Sequence, residues 1–190
     1  MMAGMPLRHR RRDHDVDDDR PGPIEGSVIR PARADDIATI IALRALLFEA
    51  MGTAPATISD NAWQQQAARW FQLHLSDERT CIMVADAHNV VVSCAMGQVI
   101  DRCPSPTDDS GLGGLLSNIA TFPGHRRMGF SEACVEAVMD WFATSTQVQT
   151  ISLLATPQGQ GISERFGFER HSFPEMRATI TRPVPADDED

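Results

Sequence analysis

Residues 118–131 constrain the fold of this chain more than any other segment. An apolar run predicts a strand over 115–122 and an amphipathic pattern predicts a helix over 129–142, with a proline, two arginines and two glycines in the turn between them. The first N–H groups of a helix lack intrahelical partners and the helix dipole is positive there, so they form an anion site. Gly129 permits close approach of the backbone to a ligand. The segment therefore predicts a phosphate site between strand and helix. A plain structural turn with solvated arginines is the alternative interpretation.

Length and composition indicate a single globular domain. A chain of 190 residues with 42% hydrophobic residues is usually one domain with an ample core. No apolar run approaches the ~20 residues that span a bilayer, and the N-terminus lacks the apolar segment of a secretory signal. We therefore expect a cytoplasmic protein without membrane contact.

The basic residues are all arginine, because the chain contains no lysine, and it also contains no tyrosine. This composition excludes a Walker A lysine, a Schiff-base lysine and a tyrosine acid. The net charge of −9 argues against a nucleic-acid partner, which requires a basic footprint. The four cysteines show no C-x-x-C spacing and mostly fall in predicted strands or a helix, so we expect buried thiols and no metal.

The two ends of the chain differ in composition from its middle. Residues 1–27 contain an arginine block, an aspartate block and a Pro-Gly-Pro sequence, with too little apolar surface to offset the entropy of ordering. We expect a disordered charged tail there and an acidic disordered tail over 183–190. Residues 28–182 then form the folded domain.

Hydrophobic periodicity predicts alternating strands and helices in this domain. A helix over 35–51 has its apolar residues on one face, and Ser59 is predicted to cap a second helix. Residues 80–85 and 90–100 are predicted to form a hairpin. The other predicted elements are strands over 28–31, 115–122, 148–155 and 171–181 and helices over 129–142 and 159–166. A β–α–β unit within a mixed sheet is the expected architecture.

The spacing Arg126-x-x-Gly129-x-Ser131 resembles the (Gln/Arg)-x-x-Gly-x-(Gly/Ala) element of the GNAT (GCN5-related N-acetyltransferase) superfamily, whose turn holds the pyrophosphate of acetyl-CoA. Residues 29–36 and 155–168 are similar to the opening and closing segments of that family, so the resemblance covers 28–181. It implies a single-domain α/β fold with a mixed, mostly antiparallel sheet flanked by helices, with acetyl-CoA as co-substrate. Ser131 departs from the usual Gly or Ala by one small hydroxyl.

The same resemblance assigns residues to a cofactor site. The backbone of Ile119, Ala120 and Thr121 would pair with the pantetheine arm like a missing strand. The other cofactor-binding residues that it implies, most of them around the pyrophosphate, are Arg126, Arg127, Met128, Gly129, Phe130, Ser131 and Thr156.

On the catalytic side, the resemblance places Ser163 where a tyrosine commonly protonates the departing thiolate. Serine is a far weaker acid, but its hydroxyl can hydrogen-bond to sulfur, and an incidental helix serine is the alternative. Asn118 would orient the acceptor, and Phe48 and Met51 would lie over the acceptor pocket, with plain core packing as the competing interpretation. Arg44, on the apolar side of its helix, is expected to meet a buried acid or a polar acceptor.

The expected function is transfer of an acetyl group from acetyl-CoA to a primary amine of a small molecule or protein. The alternative is a catalytically weak GNAT-like module that binds acyl-CoA as a sensor or interaction domain. Candidates for the general base are Glu49, Asp101, Asp108 and Asp109. The competing interpretation of each is a solvated surface carboxylate without a catalytic role. A homodimer is compatible with the resemblance, because dimers are common in the family.

Overall fold

The computed structural model describes residues 19–173 and 175–180. One sheet has its strands in chain order: β1 (Arg20–Pro21), β2 (Ser27–Pro31), β3 (Thr80–Ala87), β4 (Val90–Asp101), β5 (Leu112–Thr121) and β6 (Ile151–Leu153). Neighbouring strands are antiparallel, except that β5 and β6 are parallel. The expected mixed, mostly antiparallel sheet is confirmed.

Helices cover both faces of this sheet. They are α1 (Ile37–Ala50), α2 (Pro55–Ile58), α3 (Asn61–His74), α4 (Phe130–Ser145) and α5 (Gln160–Arg165). The connection from β5 through α4 to β6 is the predicted β–α–β unit. Apolar side chains of α4 form one core cluster with the sheet, and those of α1 and α3 form a second cluster on the opposite face. In the described part of the chain, no helix is long and apolar enough to cross a membrane.

The helix α4 lies close to the sheet because β4 has a glycine where they cross. A Cβ added at Gly97 would lie 2.6 Å from Cγ1 of Val138 and 2.9 Å from the ring of Phe142. Both side chains belong to the predicted apolar stripe of the helix and are buried. The helix therefore occupies a fixed position at its C-terminal half, which in turn positions its N-terminus beside the end of β5.

A buried charge cluster joins β2, β3 and the start of α1. Arg30 makes a bidentate ion pair with Asp36, with Nη–Oδ distances of 2.7 and 3.0 Å, and its Nη2 lies 3.0 Å from Oδ2 of Asp86. The backbone N–H of Arg33 also donates to Asp36 at 2.7 Å. Burial alone would raise the pKa of Asp36, but the hydrogen bonds from Arg30 and Arg33 outweigh it and lower that pKa.

The second long helix begins later than predicted. Asp60, and not Ser59, caps α3, and its Oδ1 accepts a hydrogen bond from the N–H of Ala62 at 2.8 Å. Ser59 instead follows α2, a single turn that begins with Pro55 and was not predicted. Serine and aspartate are equally good N-caps, so the sequence pattern alone does not separate two adjacent candidates.

The strand predicted over 171–181 is not formed in the described residues of that segment. Its apolar side chains are solvent-exposed, with Phe173 at 78%, Met176 at 90% and Ile180 at 80%. The sequence has Pro174 in this run, and a proline lacks the N–H that a ladder requires. The strand predicted over 148–155 is also shorter, because only Ile151–Leu153 pairs with β5.

The folded chain begins before residue 28. Within the segment predicted as a tail, β1 pairs with β2, and Arg20 Nη1 lies 2.6 Å from Oδ2 of Asp140 on α4. Ile24 packs against the core cluster under α4. Most of the first predicted tail and all of the second lie outside the described residues.

Candidate active site

The parallel strands β5 and β6 diverge halfway along their length. Leu116 and Leu153 form their last pair, after which β6 ends while β5 continues to Thr121. The second half of β5 therefore has a strand, β4, on one side and no strand among the described residues on the other. A strand with an unpaired edge is a template for another extended chain.

A bulge in β5 lies within this unpaired half. Cys94 pairs with Ala120 and Met96 pairs with Ser117, so β5 contains one residue more than β4 between these pairs. Asn118 lies in the bulge with φ of +53°, in the left-handed region that asparagine tolerates better than most residues. Bulges bend a strand and redirect its side chains, so this one separates the end of β5 from β6.

The residues after the bulge alternate in the direction of their backbone groups. The N–H of Phe122 donates to Val92 of β4 at 3.0 Å and Ala120 pairs with Cys94, so Thr121 between them points to the open side. The carbonyl of Ala120 accepts from Ser93 Oγ at 2.9 Å, and that of Thr121 accepts from Arg126 Nε at 3.2 Å. Of the three residues predicted to pair with a ligand, Thr121 thus faces the divergence, Ala120 faces β4, and Ile119 lies within the bulge.

The turn that follows β5 exposes backbone donors at the N-terminus of α4. Arg127 (φ +63°) and Gly129 (φ +87°) both adopt left-handed conformations. The first N–H of this helix to find an intrahelical carbonyl is that of Ala133, which donates to Gly129 at 2.9 Å. The N–H groups of the three preceding residues, from Phe130 onward, have no such partner, as at any helix N-terminus. Since the Phe130 side chain is buried in the core, only its N–H is available to a ligand.

A chain of hydroxyl groups fixes this turn to the sheet. Ser131 Oγ lies 2.5 Å from Oγ1 of Thr121, which lies 2.7 Å from Oγ of Ser93. The serine that departs from the family pattern thus bonds the first turn of α4 to the end of β5. The exposed side chains of the turn include Arg126, Arg127 and Met128.

Pro23 covers the turn from the N-terminal side. A Cβ added at Gly129 would lie 3.1 Å from Cβ of Pro23, so the β1–β2 segment closes one side of the turn. The sequence did not predict this contact, because residues 19–27 have the composition of a tail.

Arg44 of α1 reaches the bulge from the opposite sheet face. Its Nη1 donates to Oδ1 of the buried Asn118 at 3.2 Å, and its guanidinium lies 4.9 Å from the centre of the Phe48 ring. Burial lowers the pKa of Arg44. Arg44 meets no buried acid among the described residues, and its polar partner there is the Asn118 amide, another residue predicted for the site.

Cys94 lies beside this pair and is fully buried. Its Sγ donates to the carbonyl of Asn118 at 3.2 Å, and burial raises its pKa to about 12. The thiol is therefore neutral near pH 7 and does not supply a nucleophile.

The two predicted acceptor-pocket residues have different surroundings. Phe48 packs edge-to-face against Trp63 of α3, with 5.6 Å between ring centres, and is half-buried. Met51, one turn further, is 47% exposed. Phe48 packs against α3 and also contacts the Arg44 cation, and its place over an acceptor pocket stays a prediction. Met51 is not core.

Ser163 and Thr156 lie around α5. Ser163 is buried, and its hydroxyl donates to the carbonyl of Gly159 in its own helix at 3.3 Å. Thr156 Oγ1 accepts from the N–H of Gly159 at 3.2 Å and so shapes the start of this helix. An ion pair of 2.8 Å between Arg165 and Glu132 connects α5 to the first turn of α4.

Two of the carboxylates considered as bases, Asp101 and Asp108, are engaged in other hydrogen bonds. Asp101 pairs with Leu112 at the far end of β5, about 20 Å along the strand from Asn118. A hydrogen bond from Arg79 lowers the pKa of Asp101, and one from Ser110 lowers the pKa of Asp108. Lowered pKa values make both poor bases. Within the described residues, no cluster of His, Cys, Asp and Glu could hold a metal ion.

Comparison with known proteins identifies the family to which the chain belongs. The model of the acetyltransferase (GNAT) family matches residues 43–168, so the chain belongs to that family. Its fold is similar to a GCN5-related N-acetyltransferase from Ralstonia eutropha, with a TM-score of 0.72, 24% identity and coverage of 82% of this chain and 99% of that chain.

Two further solved structures have the same fold at lower identity. A predicted acetyltransferase from Clostridium acetobutylicum, crystallised with acetyl-CoA, has a TM-score of 0.69 and 20% identity over 80% of this chain and 96% of that chain. Glucosamine-6-phosphate N-acetyltransferase from Arabidopsis thaliana has a TM-score of 0.63 and 15% identity, with coverage of 81% of this chain and 99% of that chain. No curated protein sequence matches the chain.

Proposed function

We propose that this protein transfers an acetyl group from acetyl-CoA to a primary amine. The observation that carries the proposal is one juxtaposition: the unpaired half of β5 is followed, after the turn over 122–129, by the N–H groups at the start of α4. The strand edge suits the amide groups of a pantetheine arm, and the helix N-terminus suits a pyrophosphate. A thioester supplies an activated acyl group that an amine can attack directly.

Three parts of the chain have proposed roles in the transfer. The N–H of Ile119 would donate to the carbonyl oxygen of the thioester as negative charge develops there. Asn118, together with Arg44, would orient the acceptor next to that oxygen. Because no carboxylate among the described residues forms a hydrogen bond or ion pair with Asn118 or Arg44, the proton of the amine would pass to water. For a lysine-like amine of pKa ~10.4, deprotonation at pH 7 costs about 4.6 kcal/mol; an α-amine of pKa ~7.8 costs about 1.1 kcal/mol.

Departure of the thiolate would have modest help from Ser163. Its hydrogen bond to Gly159 is long, and rotation about one bond would turn the hydroxyl toward another acceptor. A thiol of pKa ~8.5 is already a fair leaving group near neutral pH, so strong assistance is unnecessary.

A direct assay tests the proposed reaction. The protein is incubated with acetyl-CoA and a panel of primary amines, and both thiol release and the mass of the acetylated amine are measured. Acetylated product at a rate that scales with protein concentration supports the proposal. Thiol release without acetylated amine would indicate hydrolysis and contradict it.

A second candidate function is an acyl-CoA-binding module with little turnover. The observation that favours it is the absence of the tyrosine that commonly protonates the thiolate in this family, since the chain has no tyrosine and the Ser163 proton is directed at Gly159. Binding of acetyl-CoA with no transfer to any amine in the panel would support this candidate. Turnover of any amine would refute it.

A further inference from the structure

The charge of Arg44 is not balanced within the described residues. The guanidinium is half-buried between α1 and the bulge of β5, yet none of the described carboxylates lies within ion-pair distance of it. Its partners there are the neutral Asn118 amide and the Phe48 ring. Cys94, the other neighbouring titratable group, is neutral. A desolvated cation without an anion is unfavourable, so a site that retains one is suited to an anionic ligand.

A second unpaired polar group lies on the same face of the sheet. Ser117 Oγ is buried and has no hydrogen-bond partner among the residues that the structure describes. Ser117 lies opposite Met96 on β4, and cross-strand partners share a face. Met96 belongs to the core cluster under α1, so the Ser117 side chain also lies on the α1 side. A buried hydroxyl without a partner is rare enough in folded proteins to require a reason.

The two groups have complementary hydrogen-bonding needs. One Nη1 proton of Arg44 is used by Asn118, which leaves the Nε and Nη2 edge, a fork that matches the two oxygens of a carboxylate. The Ser117 hydroxyl, on the same sheet face and next to Asn118 in the chain, would donate to one of the same oxygens. Both groups flank Asn118, which lies next to Ile119, the residue proposed to bind the thioester carbonyl.

We propose that Arg44, with Ser117, binds a carboxylate on the acyl acceptor, so that the acceptor is a small amino acid or similar amino-carboxylate. The inference rests on the proposed function and specifies its substrate class. It also makes polyamines poor acceptors, because a fixed cation next to the acceptor site repels a second positive charge.

The test compares matched acceptors that differ only in the anion. Initial rates are measured with amino acids and with their carboxamides, each corrected for the fraction of neutral amine, and with phosphoethanolamine. For the wild-type protein we expect kcat/KM to be at least about tenfold higher for the carboxylate of each pair. Equal values for the pairs would overturn the proposal, as would a higher value for phosphoethanolamine.

Substitution of Arg44 separates recognition from general damage. Arg44→Gln retains an amide donor for Asn118 but removes the charge, and it should reduce the preference to within about twofold, because it lowers the carboxylate rates much more than the carboxamide rates. Arg69→Met, on the exposed face of α3, is the control that removes a positive charge elsewhere and should retain the full preference. Equal loss for both members of a pair in Arg44→Gln would contradict the proposal.

Two further measurements keep the test decisive. If Arg44→Gln does not fold, Arg44→Lys keeps the charge without the fork and should reduce the preference severalfold. Binding of an N-acetyl amino acid in the presence of CoA, measured by calorimetry, should be weakened by either variant. Failure of the proposed function itself is recognised separately, because then no amine in any pair is acetylated.

Discussion

Two residues of the turn between β5 and α4 adopt left-handed backbone conformations, and they differ in what a side chain costs there. Arg127 has φ of +63° and retains its side chain, whereas Gly129 has φ of +87° and a neighbour, Pro23, on the side where a Cβ would point. The glycine is therefore required both by conformation and by contact.

Gly129→Ala should lower the free energy of unfolding by about 1–2 kcal/mol, the cost of a left-handed non-glycine residue. For a chain of this size, that corresponds to a fall of about 2–8 °C in Tm, measured by thermal unfolding. Gly161→Ala is the matched control, because its added Cβ has open space within a helix, and it should leave Tm unchanged or raised. An unchanged Tm for Gly129→Ala would show that the turn differs from the one described.

Ser163→Ala tests the contribution of this hydroxyl to thiolate departure. Loss of one hydrogen bond, about 1 kcal/mol, should lower kcat about fivefold, with little change in KM for acetyl-CoA. The measurement is steady-state kinetics on any acceptor found in the panel. If kcat is unchanged, the thiolate leaves unaided and Ser163 is a structural residue of α5.

At the scale of elements, the parts predicted best were those whose signal is local. The hairpin of β3 and β4 and the stripe of α4 follow from alternation and helical periodicity over single segments. The bulge at Asn118 was not predicted, because it depends on how β4 and β5 pair. Helical periodicity placed Arg44 on an apolar face, where it needs a polar partner, but it did not identify Asn118 as that partner.

The ion-pair cluster of Arg30, Asp36 and Asp86 should make stability depend on acid pH. The unfolded pKa of Asp36 is about 3.9, and the folded pKa lies below it. The contribution of the Asp36 charge to the free energy of unfolding is therefore fully present above the unfolded pKa and is lost as pH falls through the folded pKa. Asp36→Asn should cost about 3 kcal/mol at pH 7, because an amide cannot balance the buried Arg30 charge and turns a donor toward it.

The measurement is urea unfolding from pH 7 down to pH 3. The difference between wild type and Asp36→Asn should shrink as pH falls below about 4. Asp35→Asn, an exposed neighbour, is the control and should differ from wild type by less than about 0.5 kcal/mol. A constant difference across the pH range would mean that the charge of Asp36 is not what stabilises the cluster.

At the scale of the whole molecule, the fold class followed from the order of elements and one turn motif. The first and last residues of the folded domain could not be predicted from these two features. Composition predicted a tail over residues 1–27, but residues 20–27 form an edge strand and a turn against α4. Periodicity predicted a strand over 171–181 that has no partner in the described part of the chain. In both cases the outcome depends on whether a neighbouring element offers a complementary surface, which no local pattern contains.

Truncation tests how far the folded unit extends. Removal of residues 1–18 should leave Tm unchanged, because their composition cannot offset the entropy of ordering. Removal of residues 1–26 should lower Tm by several degrees, because it deletes β1, the Arg20–Asp140 pair and the contact of Ile24 with the core. Equal Tm values for the two truncated proteins would show that the segment from Arg20 to Gly26 does not stabilise the domain.

The central claim is that the divergence of β5 and β6, with the turn before α4, binds acyl-CoA. Its most direct test is thermal unfolding with acetyl-CoA, CoA, NADH and ATP, on wild type and on Arg127→Gly, which removes a charge from the turn at a position where glycine is unstrained. CoA compounds at about 100 times their Kd should stabilise wild type by about 2.7 kcal/mol, and Arg127→Gly should require higher concentrations for the same shift. No shift with millimolar CoA, or equal shifts with NADH and ATP, would contradict the claim.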